Sequence, residues 1–85
     1  MPKTVHSDAN ASVLRVLIEA RKAAGVTQAE LARRVGSQQP VISLIERGVR
    51  RLDVVEFYVL ARAMGADPLD LFRKAGNGIP SSQSL

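Results

Sequence analysis

Cysteine is missing from the 85 residues and histidine occurs once, as His6. Without a thiol there is no disulfide framework, and the chain suits a reducing compartment. One imidazole and no thiolate cannot assemble a Cys/His metal site within one chain, and neither a nucleophilic triad nor the zincin pattern is present. Long apolar runs are lacking as well. Arg15 and Arg62 interrupt the longest ones, well short of the roughly 20 residues needed to span a bilayer. The opening MPKTVHSDANAS has no apolar segment behind a basic start, so no secretory leader is expected. No strand alternation or internal repeat appears. The paired acids of DPLD, Asp67 and Asp70, are the one arrangement that could suggest acid–base chemistry. Their placement instead matches a helix start, with an N-cap, a proline in the first turn and an acid at the third position. The expectation is a cytoplasmic protein that is not an enzyme, with no cofactor, no metal, no membrane contact and no small-molecule ligand.

What is present is basic and helical. Nine arginines and three lysines stand against eight carboxylates, a net charge of +4 that favours a polyanionic partner. The length allows one domain with a modest core. Apolar spacing predicts five helices. The first runs over 11–24 with Val13, Leu14, Leu17 and Ile18 on one side, and Gly25 stops it. The second opens on Thr27 as N-cap with Glu30 completing a capping box, and Gly36 supplies the next turn. The third covers 39–47 and ends at Gly48. The fourth starts with a second capping box, Asp53 with Glu56, and carries Phe57, Leu60, Ala61 and Met64 inward. The fifth runs from Pro68 to Ala75, where Gly76 stops it. Residues 1–10 read as a flexible arm, 11–75 as the folded domain and 76–85 as a flexible tail rich in Gly, Ser and Pro.

Two short helices joined through a glycine turn on a basic, all-helical domain suggest a helix-turn-helix. The residues sharpen this: TQAELARRVG, then QQPVIS, IERG and RRLDVVEF resemble the Cro and phage-repressor-type helix-turn-helix family, also called the xenobiotic-response-element (XRE) family. The resemblance covers about residues 14–72. It implies a compact, repressor-like all-α fold whose second helix lies across the DNA backbone and whose third enters the major groove. It also implies base contacts at Gln38 and Gln39, and a buried ion pair between Arg21 and Glu46 tying the third helix to the scaffold.

Helical geometry places Ile42 and Ile45 toward Leu31 and Val35, and turns Gln39, Ser43 and Leu44 away. That outward face is poor in charge, which suits groups that must be desolvated against base edges. A glutamine amide can pair with adenine N6 and N7, and Leu44 either meets a thymine methyl or packs on Val41 and a neighbouring loop. Family members usually place Ser or Thr where Gln38 stands. Ser37 comes one residue early, but capping there would set Pro40 at the third position, so Gln38 is the favoured boundary. Phosphate contacts are expected at the start of the second helix, from Thr27 and Gln28, with Gln28 placed to brace Gln39, and from Arg47, Arg50 and Arg51 of the loop RGVRRLD. Arg33 and Arg34 read as a solvated face.

The implied function is sequence-specific binding of double-stranded DNA by a transcriptional regulator. It is read as a nucleoid-associated repressor acting as a homodimer on an inverted-repeat operator. Tyr58, Val59, Leu69 and Phe72 are the candidate interface residues, because helices four and five are apolar on more than one face. The alternative is a protein-binding module on the same scaffold, such as an antitoxin-like or antirepressor partner. The joint presence of the glutamines and the RGVRRLD arginines favours DNA.

Overall fold

The computed structural model describes residues 8–85, so His6 and most of the expected N-terminal arm lie outside the described residues. Five helices follow in order: α1 Asp8–Ala23, α2 Gln28–Arg34, α3 Gln39–Glu46, α4 Val54–Ala63 and α5 Pro68–Asn77. No strand occurs among the described residues, and no helix there is long and apolar enough to cross a membrane.

Local chemistry sets most boundaries. Asp53 caps α4 with a full capping box: its carboxylate accepts from Glu56 N–H at 2.7 Å while the Glu56 carboxylate accepts from Asp53 N–H at 3.0 Å. Asp67 caps α5 through Leu69 N–H, as the DPLD motif predicts. Gly36, at φ +70°, turns the chain between α2 and α3 in a conformation that a side chain would strain.

Two expected boundaries move. Helix α1 begins three residues ahead of residue 11, with Asp8 in the first turn favoured by the helix dipole and Ala9 buried. The segment DANAS has no large apolar residue to mark it, so periodicity misses this turn. At the other end Gly76 does not stop α5; Gly76 and Asn77 are helical and Gly78 follows as the C-cap. The anchor there is tertiary. Buried Ser12 of α1 donates its hydroxyl to Ala75 O at 3.2 Å, and a Cβ at Gly78 would collide with that same hydroxyl. Close approach to α1, rather than turn geometry, is therefore what calls for a glycine at 78.

The core gathers Leu17 of α1, Leu31 and Ala32 of α2, Ile42 of α3, Phe57, Leu60 and Ala61 of α4, and Leu71 of α5. Leu31 and Ile42 are its largest fully buried side chains, which locks the α2–α3 pair onto the scaffold. Emptying either site by substitution with alanine costs about 2 to 5 kcal/mol. The α3 stripe behaves as its spacing predicts, with Ile42 and Ile45 buried.

Candidate nucleic-acid interface

Helices α2 and α3 present their N-termini and one shared edge to solvent. Thr27 caps α2, its hydroxyl oxygen accepting from Glu30 N–H at 3.0 Å. Only half of the expected capping box forms. The Glu30 carboxylate turns outward to Arg33 and Arg34, whose hydrogen bonds, Arg33 first, hold its pKa down to about 2. Arg34 departs from the solvated reading in a second way: its guanidinium also donates to Ala63 O at 2.9 Å, strapping α2 to the end of α4. Arg33 is simply exposed.

The start of α3 falls where the proline argument places it. Gln38 is the N-cap in an extended conformation and makes no side-chain cap bond, and Pro40 sits in the first turn, where no intrahelical N–H is needed. Gln38, Gln39 and Pro40 are exposed, whereas Ser43 and Leu44 are only half-buried rather than fully turned away. The Leu44 carbonyl accepts from Val49 N–H at 2.9 Å and Arg50 N–H at 3.1 Å, which shapes the loop after the helix.

Behind this edge runs a connected set of polar contacts. Arg21 Nε donates to Glu46 Oε2 at 2.7 Å and Nη2 to Glu46 Oε1 at 3.0 Å, while Nη1 donates to Val26 O at 2.9 Å. The two side chains are only 10% and 9% exposed, so this is a bidentate pair removed from water. Glu46 Oε1 also accepts from Gln28 Nε2 at 2.8 Å, and Gln28 Oε1 accepts from Gln39 Nε2 at 2.7 Å. The anionic Glu46 fixes which way the Gln28 amide faces, since only its NH₂ can donate to a carboxylate. Gln28 must then offer its oxygen to Gln39. The outcome is an exposed glutamine held by a relay that ends on a buried guanidinium, with its own amide oxygen and second N–H unspent.

The arginines after α3 divide into two kinds. Arg50 forms a bidentate pair with Glu56, Nη2 to Oε2 at 2.8 Å and Nη1 to Oε1 at 3.1 Å, and also donates to Arg51 O. This bond first, and the one from Asp53 N–H second, hold the Glu56 carboxyl below the usual carboxylate range. Arg47 and Arg51 are exposed, and neither side chain has an ion-pair partner among the described residues. Away from this edge, α4 exposes Val54, Val55, Tyr58 and Val59, and α5 exposes Leu69 and Phe72. Phe57 and Phe72 form a T-shaped pair with ring centroids 5.8 Å apart, and Arg62 lies over the Tyr58 ring at 5.9 Å.

Sequence reasoning places Gln28 beside Gln39 but misses its bond to Glu46, a contact across 18 positions that no spacing rule signals. The Arg34 strap to α4 is likewise invisible in the sequence.

The family model described as helix-turn-helix matches residues 17–71. An uncharacterized HTH-type transcriptional regulator, y4dJ, of Sinorhizobium fredii is 39% identical over 51 residues, 60% of this chain and 66% of that protein, so the chain spans slightly under two thirds of that relative's length. Among solved structures, an XRE-family like protein from Pseudomonas syringae pv. tomato superposes with a TM-score of 0.82 at 45% identity, covering 92% of this chain and 95% of that one. The clp gene regulator ClgR from C. glutamicum shares the fold, with a TM-score of 0.75 at 23% identity over 87% of this chain and 96% of that one.

Proposed function

The chain belongs to the XRE-type helix-turn-helix family of transcriptional regulators, and from that premise we propose that it is a homodimeric repressor that reads an inverted-repeat operator through α3 in the major groove. The observation that carries this reading is the relay from Arg21 through Glu46 and Gln28 to Gln39. A side chain that reads bases must arrive with its rotamer already set, because ordering a free glutamine costs entropy on binding. The relay removes that cost and leaves Gln39 the oxygen and N–H that match adenine N6 and N7.

Around Gln39 the remaining roles follow from exposure and charge. Gln38 and Ser43 offer hydrogen bonds to neighbouring base edges, and Leu44 offers an apolar surface to a thymine methyl. The free amides and positive dipole end at Thr27 and Gln28 take one phosphate. Arg47, Arg50 and Arg51 take others, with Glu56 presenting Arg50 in a fixed position. Two-fold pairing through Tyr58, Val59, Leu69 and Phe72 sets a second α3 about one turn of DNA away, which supplies the site length that one helix lacks. Occluding a promoter then requires no chemistry and no cofactor.

Selection of bound duplexes from a random pool tests the reading. Recovery of an inverted repeat with half-site centres about 34 to 36 Å apart supports it. A pool that never enriches, together with no mobility shift on the DNA upstream of the chain's own coding sequence, sinks it.

A further inference from the structure

Most described cations already make an ion pair within the chain. Arg21 pairs with Glu46, Arg33 and Arg34 with Glu30, Arg50 with Glu56, and Arg73 and Lys74 with Asp70. Arg62 lies over Tyr58. Arg15, Lys22, Arg47 and Arg51 remain, and three of them, Arg15, Lys22 and Arg47, line one open cleft between α1 and the C-terminal end of α3. Leu14 and Ile18 supply its apolar floor. Two carboxylates also border it. Glu46 is compensated by Arg21, and Glu19 makes no ion pair with Arg15 or Lys22 although it lies within one helical turn of both. Among the described residues the cleft therefore keeps a positive excess.

Its position matters more than its charge. Arg47 is the C-cap residue of α3, so the cleft opens beside the end of the recognition helix. Arg15 and Lys22 are seven residues apart, about 10 Å along α1 at 1.5 Å per residue. That span is long enough for the two side chains to reach different phosphates of one DNA strand. Long, unpaired basic side chains at this spacing fit a polyanionic backbone better than a single small anion.

We infer that this cleft is a second backbone grip, in which Arg15 and Lys22 of α1 join Arg47 in holding phosphates that flank the bases read by α3. The inference rests on the DNA-binding reading above and adds to it a direct DNA contact from α1, which in that reading only anchors the relay through Arg21. Phosphates held there lie at the flank of each half-site, so the contact strengthens binding without choosing a sequence.

The test uses the full chain and its selected duplex, with affinity measured between 50 and 200 mM salt. The double variant Arg15→Gln/Lys22→Gln is expected to lower the slope of log affinity against log salt by about 1.8 per bound protomer, since each phosphate contact contributes about 0.9. Over that salt range the wild-type affinity then falls about tenfold more than the variant's. Arg33→Gln/Arg73→Gln removes the same charge from exposed, already paired sites and is expected to leave the slope nearly unchanged. Phosphate ethylation interference should lose its outermost positions only in the first variant. Equal slopes in the two double variants, or an unchanged footprint, overturn the grip. A wild-type chain with no salt-dependent affinity for any duplex overturns the DNA-binding reading itself, and that failure is distinct because it appears before any substitution is made.

Discussion

Replacing Glu46 by alanine removes the central member of the relay, and its consequence can be worked from the geometry. Glu46 accepts two hydrogen bonds from Arg21 and one from Gln28. Its loss leaves Arg21, 10% exposed, with Val26 O as its remaining partner at 2.9 Å. An uncompensated buried charge of this kind costs about 3 to 5 kcal/mol. The retained carbonyl bond and some water entry favour the lower part of that range. A domain of this size holds roughly 4 to 13 kcal/mol in total at 0.05 to 0.15 kcal/mol per residue. Each kcal/mol shifts the melting temperature of such a domain by about 4 to 8 °C, so a fall of at least about 12 °C is expected. Melting followed by circular dichroism at neutral pH measures it. A variant that melts within a degree or two of the parent would mean that Arg21 finds water or another partner at no cost, and that the pair is not a buried one. Gln28→Ala is the companion variant. It leaves the Arg21–Glu46 pair intact and should cost only about 1 kcal/mol of stability, while loosening Gln39.

Four further outcomes are expected. Gln39→Ala should relax preference at one adenine-bearing position by about 1 to 3 kcal/mol, read by competition between operator variants; equal losses on operator and random DNA would move Gln39 to the phosphate contacts. For Leu44→Ala, the binding penalty should shrink when the facing thymine is replaced by uracil, and an unchanged penalty returns Leu44 to packing on Val41. In acid, Glu30 has a folded pKa of about 2 against an ordinary value of 4.5, so its contribution is present above about pH 4.5 and is lost as pH falls toward 2. The wild-type melting temperature should accordingly drop more steeply across that window than that of Glu30→Gln, and parallel curves would show that the Arg33 and Arg34 bonds are absent in solution. Leu69→Lys, at a residue 73% exposed, should leave folding intact but shift sedimentation toward monomer at micromolar concentration; a monomer already in the wild type excludes the dimer.

Whatever is encoded over one or two helical turns is legible in the residues alone. Thr27, Asp53 and Asp67 mark helix starts because a side-chain oxygen meets an amide two or three residues on. Ile42, Ile45, Phe57 and Leu60 announce the buried face by spacing alone. Even Gln38 as the start of α3 follows from where Pro40 can stand. Family likeness then assigned Arg21 to Glu46, a pairing no local rule contains. Tertiary structure decided what depends on helices meeting. Arg34 reaches Ala63 O only because α2 packs against the end of α4. Gly76 stays helical and Gly78 becomes necessary because Ser12, more than 60 residues away, fills the space a Cβ would need. The relay to Gln39 and the unpaired cations beside α3 belong to the same class. A side chain's partner is set by distance in space, and a separation of 18 or 25 positions along the chain carries no record of that distance until the core has closed.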